Sequence, residues 1–259
     1  MDIRSAAVSG MFYPSNPVEL KGAVTRFLKA SRDRELVPKV LVVPHAGYIY
    51  SGQVAAEAYK LLEKSDDKIE RVILLGPCHR VPVVGVAIPS VSAFSTPLGD
   101  IPLDLKLIER INRLSFVEAS DEAHELEHSL EVHLPFLQEV IGKFSLVPLV
   151  VGECSAVDVA KVLDVVWGEA ETLIVISTDL SHFLSYNQAM KMDSDTAIKI
   201  MALESSLSGD EACGCRPLNG MLYYAKKMGL HIEQLALRNS GDTSGDKQRV
   251  VGYGSFALY

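Results

Sequence analysis

The chain has 259 residues, 48 % of them apolar and 22 % charged, which suits a globular protein with a substantial buried core. Its formal net charge of −8, without any run of lysine and arginine, argues against a nucleic-acid or anionic-membrane surface, since both need a basic face. No stretch approaches the roughly 20 uninterrupted apolar residues of a membrane span, and Met1-Asp2-Ile3-Arg4 does not open a signal peptide, so a cytoplasmic location is expected.

In chain order, Pro17 to Lys29 repeats apolar residues at helical spacing (Leu20, Val24, Phe27, Leu28), with Asn16 placed to cap it and Pro17 suited to the first helical position. Lys39 to Val43 reads as a short buried strand ending at Pro44-His45. Gln53 to Glu63 is helical in pattern, and Arg71 to Leu75 is a second buried strand ending at Gly76-Pro77. Val83 to Ile88 is β-like. Leu105 to Leu114 and Leu130 to Ile141 carry helical patterns, the second started or kinked by Pro135. Phe144 to Val151 reads as a strand, Val157 to Trp167 as an amphipathic helix, and Thr172 to Ser177 as a strand leading to Asp179 and His182. Helices are predicted around Met190 to Met201 and Leu218 to Met228, and β-like runs at Ile232 to Leu237 and Val250 to Leu258 close the chain. Strands alternating with helices predict an α/β sandwich with a mixed or mostly parallel sheet. No repeat, low-complexity tract or linker divides residues 1–259, so one domain is expected.

Six of the seven histidines lie in or beside four short segments, three of which follow a β-like run. Side chains just past strand ends converge in α/β sheets, and neutral imidazoles meeting in one crevice hold a metal or move protons. His45, before Ala46-Gly47, and His79, after Gly76-Pro77-Cys78, repeat one arrangement on two strands. Glu127-His128-Ser129-Leu130-Glu131-Val132-His133 fits neither HExxH nor HxxEH, because His128 and His133 are five apart and Val132 separates Glu131 from His133. A zinc protease is disfavoured. His124 and His128 share a helical face, which reads as solvated without a third ligand. Asp179 and His182 make an acid–imidazole pair or, more plainly, a helix cap with an incidental histidine. The turn-rich Asn239-Ser240-Gly241-Asp242-Thr243-Ser244-Gly245-Asp246 offers Asp242 and Asp246 as hard oxygen ligands, and two histidines with one carboxylate suit non-haem Fe(II). Among the four cysteines none has CxxC spacing, so Cys78, Cys154, Cys213 and Cys215 read as reduced thiols. Cys213 and Cys215, ahead of a predicted helix, leave open a nucleophilic Cys/His enzyme.

In combination, Pro44-His45-Ala46-Gly47-Tyr48, Gly76-Pro77-Cys78-His79, Glu127-His128-Ser129-Leu130-Glu131-Val132-His133-Leu134-Pro135 and Ser177-Thr178-Asp179-Leu180-Ser181-His182 resemble the Memo family. The resemblance runs from Gly10-Met11-Phe12-Tyr13 through Cys213-Gly214 to Gly252-Tyr253-Gly254. It implies a fold like that of the class III extradiol dioxygenases, a three-layer sandwich with a mixed, mostly parallel sheet flanked by helices. It also implies a divalent-metal pocket formed by His45 and His79, with His182 in the place of the dioxygenases' acid/base. A third ligand is implied in the loop before the last strand, where this chain offers Asp242 and Asp246. Carboxylate ligation suits iron or manganese, whereas a thiolate favours copper, and iron is the metal expected first. The family resemblance further suggests an AMMECR-type protein and a radical SAM protein as partners.

The function expected from these readings is a metal-dependent redox or oxygen-linked enzyme acting on a small molecule. His45 and His79 would be ligands, Asp179 and His182 would handle protons, and His133 or Glu131 would line the pocket. Two other classes remain open: a binding module holding a peptide or anion in the same cleft, and a metal-dependent hydrolase.

Overall fold

The computed structural model describes residues 2–64, 69–243 and 245–259. The first elements are β1 (Ile3–Arg4), α1 (Pro17–Ala30), β2 (Val40–Val43), α2 (Tyr48–Tyr59) and β3 (Arg71–Pro77). Then come β4 (Val86–Ile88), β5 (Ala93–Thr96), β6 (Gly99–Pro102), α3 (Leu105–Ile111), β7 (Val117–Ala119) and α4 (Asp121–Glu125). α5 (His128–Glu131), α6 (Leu134–Ile141), β8 (Ser145–Val151), α7 (Ala156–Val166) and β9 (Thr172–Ser177) follow. The chain ends with β10 (His182–Leu184), α8 (Tyr186–Met201), α9 (Cys215–Met228), β11 (Ile232–Asn239) and β12 (Val250–Leu258).

Unbroken apolar runs explain the sheet's centre. Every residue of β2 and β9 is buried, as is every residue of β3 except Arg71, so these strands need cover on both faces. They run parallel in the order β2-β9-β3-β8. Antiparallel pairing flanks this centre, β12 against β2 on one side and β4 against β8 on the other. β11 and β10 both pair with β12, and β7 extends the far edge. The result is a mixed sheet with a parallel middle. α1, α2 and α6 pack together as one helical group, and α3, α7 and α9 as another.

Local signals act as the sequence suggests at several ends. Asn16 accepts the amides of Val18 and Glu19 and caps α1, which begins at Pro17. The helix expected over Leu130 to Ile141 is instead divided into α5 and α6, with Val132 and His133 between them. Pro135 sits in the first turn of α6, where its missing N–H costs nothing. His128 and His133 therefore belong to different turns of chain, and their five-residue spacing does not separate them around one helix.

Because β2, β9 and β3 are parallel neighbours, their C-terminal ends lie side by side: Val43 pairs with Ser177, and Leu75 with Ile176. His45, Asp179 and His79 follow at once, in the position where open α/β sheets place ligands.

Candidate metal centre

Three imidazoles meet past these strand ends. One ring nitrogen from each of His45, His79 and His128 lies within 4.8 Å of the others. The His79 and His128 rings stack with centroids 4.6 Å apart, and His45 meets both edge-on, at 5.2 and 5.4 Å. Cys213 lies beside His45, its Sγ 3.3 Å from Nε2 of that ring, outside the three-residue cluster.

Each group is aimed by a buried partner. The Glu127 carboxylate accepts the amide of His79 at 2.6 Å and faces its Nδ1 at 2.9 Å, leaving Nε2 as the free donor atom. The same carboxylate lies 3.4 Å from Nδ1 of His128, and accepts the amide of Ser129. Nδ1 of His45 lies 2.7 Å from the Ser177 hydroxyl, and its backbone N–H donates to Asp179. Cys213 is held by paired contacts with the 178–179 turn: its amide donates to the Asp179 carbonyl, and the Gly214 amide to Oγ1 of Thr178. A Cβ on Gly214 would collide with the Ser177 carbonyl, so only glycine lets this turn approach β9.

Burial sets the protonation states. Desolvation, reinforced by the neighbouring histidines, drives the pKa of His45 well below the usual imidazole range, and burial takes His128 down to about 4. Neutral rings are the ligand form. Burial would raise the Glu127 pKa, but hydrogen bonds and charge from His79 hold it at about 2, so this carboxylate stays ionised. Asp179 is pushed up to about 7 by burial, against the amides that bond it. Burial and the Asp179 charge raise the Cys213 thiol to about 12, so only a metal or strong base would draw off its proton. Three imidazoles with a thiol beside one of them are a donor set that fits a transition metal.

The floor opens into a cleft of about 470 Å³ lined by His79, His182, Leu184, Met192, Asp210 and Cys213. His182 thus lines the cleft, its pKa lowered by burial. Asp179 directs its carboxylate to His45, with Oδ2 3.9 Å from Nε2. His133 lies behind His45, between the Tyr59 hydroxyl and Ser177. Asp242 accepts the Tyr186 hydroxyl and the Asn239 amide within its own turn, and Asp246 accepts the Gln248 amide. Neither belongs to the three-residue cluster; Ser244, between them, lies outside the described residues. Glu131 faces away, bound to Arg4, Tyr13 and the amides of Ala7 and Val8. The solvated-face reading of His124 and His128 is corrected: α4 ends between them, His124 is buried against Phe94, and His128 joins the cluster. Cys213, Glu127 and Ser177 had no pattern of their own in the sequence. The motifs of the family resemblance contain all three without giving them a role, and Cys213 also stands near a helix start.

A family model described as Memo-like protein matches residues 4–257. A MEMO1 family protein of Aquifex aeolicus (strain VF5) is 36 % identical, with 98 % of each chain covered. A Methanosarcina mazei MEMO1 family protein is 35 % identical over 100 % of each chain. Among solved structures, the uncharacterized protein JW3007 from Escherichia coli K12 matches with a TM-score of 0.51 at 12 % identity, covering 85 % of this chain and 100 % of that one. That likeness speaks for the fold alone, whereas the family match runs from one end of the described sheet to the other. The chain belongs to the Memo family.

Proposed function

We propose that the chain is a metal-dependent enzyme of redox or oxygen-linked type, acting on a small molecule that enters between His182 and Asp210. The observation that carries this reading is the convergence of His45, His79 and His128, with the Cys213 thiol beside His45, against a cleft that His79 and Cys213 line. His45 and His79 would hold the metal, with His128 and Cys213 as the remaining donors within reach. A thiol beside imidazoles favours iron or copper over magnesium or calcium.

Bound there, the metal would supply Lewis acidity and electron exchange that no side chain offers. The chain's own groups do the rest. Glu127 orients the His79 ring. His182, lining the cleft, exchanges protons at its imidazole with whatever enters, and Asp179 holds one on its carboxyl near neutral pH. Leu184 and Met192 line the entrance with apolar surface, which displaces water from a small organic substrate.

The test is the metal content of protein purified anaerobically without chelators or metal-affinity columns. Near-stoichiometric iron, copper or manganese in the wild type, lost in both His45→Ala and His79→Ala, is the expected result. Stoichiometric zinc with hydrolytic turnover would move the assignment to the hydrolase class. Wild-type protein that takes up no metal on reconstitution would sink the enzyme reading in favour of a binding cleft.

A further inference from the structure

His45 offers Nε2 to the cleft as a ligand only if its proton sits on Nδ1. The contacts of Ser177 decide that. Its hydroxyl donates to the Ser129 carbonyl across 2.6 Å, a separation that two oxygens without a shared proton do not tolerate. A hydroxyl has one proton, so once that is committed the oxygen can only accept. Two ring nitrogens reach it, Nδ1 of His45 at 2.7 Å and Nε2 of His133 at 2.9 Å. Both must carry hydrogen. The other nitrogen of His133 then has a bare lone pair, and the Tyr59 hydroxyl, 2.8 Å away, donates to it.

Every proton along Tyr59, His133, Ser177 and His45 is thereby assigned. All four residues are at most 2 % exposed, so water offers them no alternative partners. Burial takes the His133 pKa down to about 3, which keeps that ring neutral as the assignment requires. The Cys213 thiol, facing Nε2 of His45, can donate to a bare nitrogen there. Gly76 makes the arrangement possible: a Cβ on it would lie 2.9 Å from Oγ of Ser129 and 3.2 Å from Cβ of Ser177.

We propose that Ser177 is a positioning residue that fixes His45 as the Nδ1–H tautomer and so aims a bare Nε2 into the cleft, with His133 and Tyr59 as its backing. The purpose of this device rests on the metal-centre reading; the hydrogen bonds themselves do not. Sequence pattern placed His133 in the chemistry, but it stands one hydroxyl behind it.

The experiment is a long-range ¹H–¹⁵N correlation spectrum of the metal-free, full-length protein labelled at histidine, at neutral pH with chelator. His45, assigned by its loss in His45→Gln, is expected with Nδ1 protonated and Nε2 bare. Ser177→Ala should populate the Nε2–H tautomer and weaken Fe(II) binding by about 10- to 100-fold, whereas Ser177→Thr, which keeps the hydroxyl, should restore the wild-type tautomer. A wild-type spectrum showing His45 as the Nε2–H tautomer overturns the inference, and decides the matter even where Ser177→Ala does not fold. An unaltered tautomer with unaltered Fe(II) affinity in folded Ser177→Ala overturns it equally. A wild-type Nδ1–H tautomer in protein that binds no Fe(II) supports the role of Ser177 and removes only the metal-centre reading.

Discussion

Glu127 and Glu131 flank the same short helix and are buried alike, at 1 % and 0 % exposure, yet they serve opposite ends. Glu131 is surrounded by donors that tie backbone together: the Arg4 guanidinium at 2.7 Å, which also donates to the His124 and Glu127 carbonyls, the Tyr13 hydroxyl at 2.6 Å and the amides of Ala7 and Val8. It pins the N-terminal segment to α5. Glu127 faces the ring nitrogens of His79 and His128, and an imidazole has a second nitrogen that carries the orientation onward into the cleft. A buried carboxylate is an anchor or a tuner according to whether its partners lead to backbone or into the cluster.

The largest effect should come from breaking the anchor. Glu131→Gln leaves Arg4 buried without its counter-charge, and denaturant unfolding should show a loss of roughly 3–5 kcal/mol. The fraction that stays folded should bind metal with wild-type affinity. Impaired binding would merge the two roles.

Acidification separates the imidazoles from the Glu127 carboxylate. Burial lowers the pKa of His124 to about 4, against about 6.5 in an unfolded chain, so the unfolded state takes up the proton first. Stability is therefore full above pH 6.5 and falls as the pH drops towards 4, by about 3 kcal/mol for this one group. His128 adds to the loss in the same window and His133 down to about pH 3, Glu127 stays charged until about pH 2, and Asp179, raised to about 7, offsets part of the loss because the folded chain protonates it first. Unfolding free energies of metal-free protein at pH 7, 6 and 5 should decline in that order; a flat profile would contradict the neutral-histidine assignment.

Glu127→Gln replaces the acceptor at Nδ1 of His79 with a neutral one. Metal affinity should fall about 10- to 100-fold, which corresponds to about 1.4–2.8 kcal/mol. Titration with Fe(II) under anaerobic conditions reads this directly, and an unchanged affinity would reduce Glu127 to a second anchor. The smallest change is expected from Asp242→Asn. It weakens the contacts to Tyr186 and Asn239, should cost about 1 kcal/mol or less, and should leave metal content untouched. Loss of metal in that variant would return the third ligand to the loop where sequence resemblance puts it.

The sheet's parallel centre was legible because β2, β3, β8 and β9 are unbroken apolar runs that only full burial explains. β1, β5, β6, β7 and β10 escaped notice because they span two to four residues each and alternate or lack burial. His45 and His79 announced themselves by repeating at strand ends. His128 does not, because its five-residue spacing from His133 points the two apart only on one continuous helix, and the chain turns between them. Ser177 and Cys213 depend on contacts across the fold, to which local periodicity is blind.

The separation of those partners also shapes how the protein comes together. His45 and Cys213 are 168 positions apart in the chain, and Ser177 is 132 positions from His45. Helices such as α1 can form from neighbouring residues, but this crevice exists only after β2, β9 and the turn before α9 have all docked. An ion that needs the finished crevice binds the native state alone, so at a hundred times its dissociation constant it would add about 2.7 kcal/mol to global stability. Metal supply would then govern how long each copy of the chain survives proteolysis, as well as whether it is active.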